Sequence, residues 1–189
     1  MRTDLRAALI AVVLFTALCG LAYPLAITGI AQVTMPGKAN GSQIERDAET
    51  VGSELIGQDF DGDVRYFQSR PSATDYAADA TGFNNLGPNQ QALADQLTDA
   101  AAVYAEREGI SVEDIPPDAV TTSASGVDAH ISPENAEIQA RRVARERGLS
   151  PDRVADLIDE HTAGRALGFM GEPGVNVLTL NLALDEETR

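Results

Sequence analysis

The chain has 189 residues, one cysteine, and 29 acidic against 14 basic side chains, for a net charge of −15. A single cysteine excludes an intrachain disulfide framework, so any folded domain is held by its own core. The acid excess, with 13 Arg and only one Lys, works against binding nucleic acid or an anionic lipid surface.

From Ala7 to Gly37 there is no charged residue, and most of the run reads AALIAVVLFTALCGLAYPLAITGIAQV. A bilayer core takes about 20 apolar residues as a helix, so the run predicts a transmembrane helix. It is too long for the apolar region of a cleaved signal peptide, which spans about 7–15 residues. Cys19 follows bulky Leu18, where a lipoprotein site needs a small residue, and reads as a lipid-facing or helix-packing thiol. Arg2 and Arg6 precede the run, while Lys38 and then many acids follow it. The Lys/Arg bias therefore predicts a cytoplasmic N-terminus, with residues 38–189 extracytoplasmic. Pro24 falls inside the span and predicts a kink. Ala22, Pro24, Ala26 and Gly29 mark a face of small residues and proline suited to membrane packing against another helix.

The predicted organisation is residues 1–35 as cytoplasmic tip and transmembrane helix, 36–43 as a flexible linker, and 44–189 as one acidic domain. Ile44, Ala48, Val51 and Leu55 repeat at helical spacing, so Ile44–Ile56 predicts a helix stopped by Gly57. Asp59–Tyr76 predicts strand and loop, and Gly82–Asn89 a turn-rich segment. Gln90–Glu108 predicts an amphipathic helix with Leu93, Leu97, Ala100, Ala101 and Tyr104 on one face and Gly109 at its end. Ile115–Ile131 reads as a long loop. Ser132-Pro133 and Ser150-Pro151 each predict a helix start, Ser as cap and Pro in the first turn. Val175–Leu184 alternates and predicts a strand. The fold class is α+β: one N-terminal transmembrane helix followed by a single extracytoplasmic domain.

No phosphate loop and no GxGxxG is present, which removes the motif basis for self-sufficient nucleotide binding. Asp59, Asp61, Gly62 and Asp63 open like a calcium loop, but Arg70 stands where the bidentate Glu belongs, so an acidic surface turn is predicted. Ser123 or Ser125 with Asp128 and His130 sketches a hydrolase constellation without a GxSxG elbow. Its alternative is a loop in which hydroxyls cap turns. A membrane-anchored extracytoplasmic hydrolase is thus the rival functional class.

Three segments carry a resemblance. They are Gly52–Tyr76 (GSELIGQDFDGDVRYFQSRPSATDY), Asn85–Pro88 (NLGP) and Pro117–Ala136 (PDAVTTSASGVDAHISPENA). With the single preceding span, their order resembles the C subunit of Kdp-type potassium-transporting ATPases. The family usually has Pro where Ala129 stands and is more Gly-rich around Gly82–Asn84. The resemblance implies a non-catalytic accessory subunit. Its partners would be a P-type ATPase subunit, a channel-like potassium-binding subunit and often a small membrane peptide. It also implies a catalytic chaperone that raises the ATP affinity of the ATPase subunit. The predicted topology keeps the domain away from cytosolic ATP, so no cofactor of its own is expected and any effect on ATP travels through the partners. Tyr66, Phe67, Arg70, Pro71, Asn85, Ser123 and His130 are candidates for a partner interface, because aromatics and Arg are enriched at interface centres. For Tyr66, Phe67 and Arg70 the competing expectation is a core role, with Arg70 paired to an acid inside the domain.

Overall fold

A computed structural model of the chain describes residues 2–60 and 62–188. Asp61, part of the expected acidic turn, and the side chain of Arg2, part of the orientation signal, lie outside the described residues. The chain forms two compact units, Met1–Ser53 and Glu54–Arg189.

In the first unit, α1 (Arg2–Phe15), a π-helical stretch (Thr16–Ala22) and α2 (Tyr23–Thr34) follow one another directly. The stretch Thr3–Thr34 is helical over 32 residues and none of it is buried within the chain. At 1.5 Å per residue it is about 48 Å long, more than the roughly 30 Å of a hydrocarbon core. The expected effect of Pro24 takes a specific form. Proline has no N–H to give the preceding turn, and the helix widens just before it, with Tyr23 N–H reaching back to Leu18 O. The expected linker contains a short helix, α3 (Pro36–Ala39).

The predicted helix over Ile44–Ile56 is instead a hairpin of β1 (Gln43–Arg46) and β2 (Glu49–Ser53), antiparallel, with a bulge after Ile44. Asp47 and Ala48 both have positive φ (54° and 64°), the primed two-residue turn whose twist suits paired strands. The apolar spacing matched a helix, but tight-turn geometry without Gly or Asn left no local signal.

The second unit starts with a long irregular stretch and reaches α4 (Gln91–Glu108), which ends at Gly109 in the left-handed conformation as expected. A short helix, α5 (Pro117–Val120), leads to β3 (His130–Ile131). Then come α6 (Pro133–Arg147), α7 (Pro151–Glu160), β4 (Thr162–Ala163), β5 (Gly174–Asn176) and α8 (Val177–Glu187). Ser132 Oγ accepts from Asn135 N at 3.1 Å and Ser150 Oγ from Arg153 N at 3.2 Å, so both expected caps form.

The predicted strand over Val175–Leu184 is mostly helix. Only its first two residues lie in β5, the centre of a three-stranded antiparallel sheet ordered β3-β5-β4. Asn176 then caps α8, its side chain accepting from Thr179 N at 3.1 Å. Val177, Leu180, Asn181 and Leu184 are buried at helical spacing. So apolar a segment satisfies both periods, and the cap decides between them.

The core joins α6, α7 and α8 with the sheet through Ile131, Val143, Val154, Leu157, Leu180 and Leu184, among others, and takes in Phe67 from the irregular stretch. Val64–Pro71 contains no strand, and its backbone is held instead by side chains. Asn181 accepts from Phe67 N and donates to Phe67 O, both at 2.9 Å. Gln139 does the same for Gln68, at 2.7 and 3.2 Å. Arg142, 3% exposed, donates to the carbonyls of Val64 and Tyr66 and pairs with the buried Glu108 carboxylate at 3.0 Å.

Removing one member of a buried pair strands the other charge, at about 3–5 kcal/mol. Arg142→Ala is therefore expected to cost about that much in denaturant unfolding of the full chain. A loss below about 1 kcal/mol, within the reach of an exposed pair, would show that the pair is not a structural centre.

Candidate functional site

The segment Tyr66–Pro71 does not form one surface patch. Phe67 is fully buried in the core. Tyr66 stacks on Phe60 at 5.6 Å, lies under the Arg147 guanidinium at 4.5 Å, and donates from its hydroxyl to Asp185 at 3.0 Å. Arg70 pairs with Asp128 at 3.1 Å and donates to Thr121 Oγ1 at 3.3 Å. The core role is thus met for Phe67 and the internal ion pair for Arg70. Pro71 O accepts from Ser123 N at 2.9 Å, which ties the segment to the TTSASG loop.

Ser123 is buried and accepts from Gly126 N at 3.1 Å, with Ser125 Oγ 3.2 Å away. Among the hydrogen bonds of the described residues, neither hydroxyl is joined to His130. Instead, the backbone N–H of His130 donates to Asp128 Oδ1 at 3.0 Å, and its Nδ1 stands 3.9 Å from the same oxygen. The serines brace a turn, as the capping alternative expects. Asn85 is exposed with φ 52°, and donates to Phe83 O at 3.1 Å. It borders an apolar pocket of about 220 Å³ with Phe83, Leu86, Leu93 and Leu97.

The structure does bring Arg70, Asp128 and His130 together. With Asp118, Ser132 and Glu172 they line an open cleft of about 410 Å³. Two backbone constraints shape it. His130 lies on β3 opposite Asn176, and the next residue, Ile131, lies opposite Val175. Gly57 N donates to Val127 O at 2.8 Å, and a Cβ on Gly57 would fall 2.3 Å from Asp128 O. Gly57 is therefore a close-approach glycine rather than the helix stop expected from sequence. The Asp118 carboxylate accepts from Ser132 N, Ser132 Oγ and Asn135 Nδ2 at 2.7–3.0 Å. Arg70 Nε is buried and has no hydrogen-bond partner among the described residues. The cleft is suited to holding polar groups in place: the Ser132 hydroxyl is committed to Asp118 and to the N-terminus of α6.

In the acidic turn, Asp63 is chelated by Arg65, whose hydrogen bonds lower its carboxyl to about 2. Burial pushes the Tyr76 hydroxyl up to about 12, and it donates to Arg70 O. Sequence reasoning missed Asn135, Gln139, Arg142, Asn181 and Glu108 as organising residues. One signal was available: Asn135, Gln139 and Arg142 stand at i, i+4 and i+7, a polar stripe beside the buried Ala136 and Val143 on α6.

A family model described as "K+-transporting ATPase, c chain" matches residues 5–186. Relatives named "Potassium-transporting ATPase KdpC subunit" are similar over nearly the whole chain. The one from Allorhizobium ampelinum is 52% identical, covering 98% of this chain and 97% of its own. Those from Koribacter versatilis (49%; 98% and 95% covered) and Rhodopseudomonas palustris (48%; 100% of both) are alike. The fold is that of a single-span membrane protein with an α+β domain. The chain belongs to the family of K+-transporting ATPase c chains.

His161 is half-buried at the end of α7, its Nδ1 3.0 Å from Thr179 Oγ1, and burial holds its pKa below the ordinary value of 6.5. As pH falls through 6.5 the unfolded chain takes up the proton first, so this residue's contribution to stability is present above that pH and lost below it. Stability is expected to fall between pH 7.5 and 5, and less steeply in His161→Gln. Identical slopes in denaturant titrations of the two proteins would remove His161 as the cause.

Proposed function

We propose that this chain is the single-span accessory subunit of an ATP-driven potassium uptake complex, without catalytic chemistry of its own. The observation that carries the reading is family membership over residues 5–186, in a chain whose 32-residue apolar helix is unburied by its own fold. Its partners are a P-type ATPase subunit, a channel-like potassium-binding subunit and a small membrane peptide. Ala22, Pro24, Ala26 and Gly29 pack against a partner helix; all four are exposed, and a Cβ on Gly29 would meet nothing within 4 Å. The N-terminus is cytoplasmic, in keeping with Arg6 before the span and the acid excess after it. From outside, the domain assists the ATPase subunit as a catalytic chaperone. It raises ATP affinity through the membrane subunits as a coupling free energy, with ATP bound only by the partner.

Mild-detergent isolation of the chain from native membranes of potassium-starved cells is expected to recover a P-type ATPase and a large potassium-channel-like protein. Recovery of the chain alone would overturn the reading. Orientation has its own test. In a Cys19→Ala background, Ala155→Cys at an exposed position of α7 is expected to react with a membrane-impermeant maleimide in intact cells. Labelling only after lysis would place the domain inside.

The net charge of −15 draws cations to the domain and repels the folded chain from itself at low salt. We read this surface as adapted to concentrated salt. The unfolding midpoint is expected to rise from 0.1 M toward molar KCl, and a flat profile would reject the adaptation.

A further inference from the structure

The connection from β4 to β5 projects a tight hairpin with an apolar tip. Leu167 is 83% exposed, Phe169 72% and Met170 52%. Soluble surfaces carry single apolar residues freely, but three large ones on one short turn form a feature. The tip is built rather than loose. Ala166 N donates to Met170 O at 2.8 Å and Met170 N to Ala166 O at 2.9 Å, and Phe169 N donates to Ala166 O at 3.3 Å. Arg165 and Glu172 close the stalk as an ion pair. Leu167 holds φ 53°, a left-handed conformation that strains a non-glycine residue, and Gly168 follows at 81°.

We propose that this tip is a docking finger that seats in an apolar socket on the extramembrane face of a protein subunit of the same membrane complex. The inference rests on the accessory-subunit reading and names a surface through which it works. Three observations select a protein over the other apolar phases at hand. A fixed backbone shape, with a left-handed Leu at its apex, lowers the ordering cost of fitting a shaped pocket but gains nothing in fluid lipid. The tip has no Trp, Tyr or Lys of the kind that anchors at a bilayer interface, and its one cation, Arg165, is paired to Glu172. A second copy of the chain would bring two molecules of charge −15 together. Phe and Met are the residue types enriched at interface centres, and a few such anchors carry most of an interface's energy.

The test uses the full chain in its native membranes. With a photoreactive benzoylphenylalanine in place of Phe169, irradiation is expected to join the chain to another protein of the complex. Adducts only with lipid, or only with a second copy of the chain, would overturn the proposal. In parallel, Leu167→Glu/Phe169→Glu is expected to lower partner recovery at least tenfold, with the unfolding midpoint unchanged. Phe169→Leu should keep recovery near the unaltered level. If the unaltered chain recovers its partners and the double variant does so equally well, the finger is wrong and the accessory-subunit reading stands. If the unaltered chain recovers no partner, both fall.

Discussion

A backbone segment that dips into the core with no strand beside it organises the extramembrane domain. Val64–Pro71 has no β-ladder to satisfy it, yet buried N–H and C=O groups must find partners. Side-chain amides take the place of a neighbouring strand: Asn181 from α8 for Phe67, and Gln139 from α6 for Gln68. Arg142 adds two carbonyls and the Gln139 side chain, with its charge balanced by Glu108 at the end of α4. Three helices are thereby registered on one loop. A buried cation is costly unless its donors are filled, and this one meets acceptors through Nε, Nη1 and Nη2. The arrangement tolerates no half-measure, which is why loss of one partner is worse than loss of a surface pair.

The cleft follows from that registration. With Phe67 fixed in the core, Arg70 is set to meet Asp128 and Thr121, and Pro71 to accept from Ser123. Gly57 allows the Val127–Asp128 backbone to come close, and β3 aligns His130 with β5. The residues that looked most like chemistry in the sequence are therefore mostly structural. Ser123 closes a turn, Ser125 accepts from the Val127 N–H, and Asp128 receives Arg70 and the His130 N–H.

What could be read from the sequence was what local physics decides. The apolar run rests on consecutive residues, and the Ser-Pro caps of α6 and α7 and the Gly109 stop of α4 each rest on residues within one turn of one another. Two elements failed for a shared reason: apolar spacing alone fits more than one structure. Ile44, Ala48, Val51 and Leu55 suit a helix, but a turn at Asp47–Ala48 folds them into a hairpin. VNVLTLNLAL alternates like a strand, but Asn176 caps it into α8. The buried network was hidden more deeply. Gln139 and Asn181 look like solvent-facing polar residues until partners 71 and 114 positions away are known. The core placement of Phe67 and the Arg70–Asp128 pair were legible only as one of two alternatives.

The division between satisfied and unsatisfied surface tells where binding energy can come from. Arg65, Arg70, Arg107, Arg142, Arg145, Arg147, Arg153 and Arg165 all sit in ion pairs within the chain. Each such pair cancels at close range, so what acts at a distance is the acid excess, over a Debye length of about 8 Å at physiological salt. That field can gather cations and turn away anionic surfaces, but it carries little shape. Shape resides in the uncovered apolar parts, the 32-residue helix and the Leu167–Phe169–Met170 tip. The unburied apolar helix and hairpin tip offer surface for packing against other chains, with charge setting which partners approach and packing setting which ones stay.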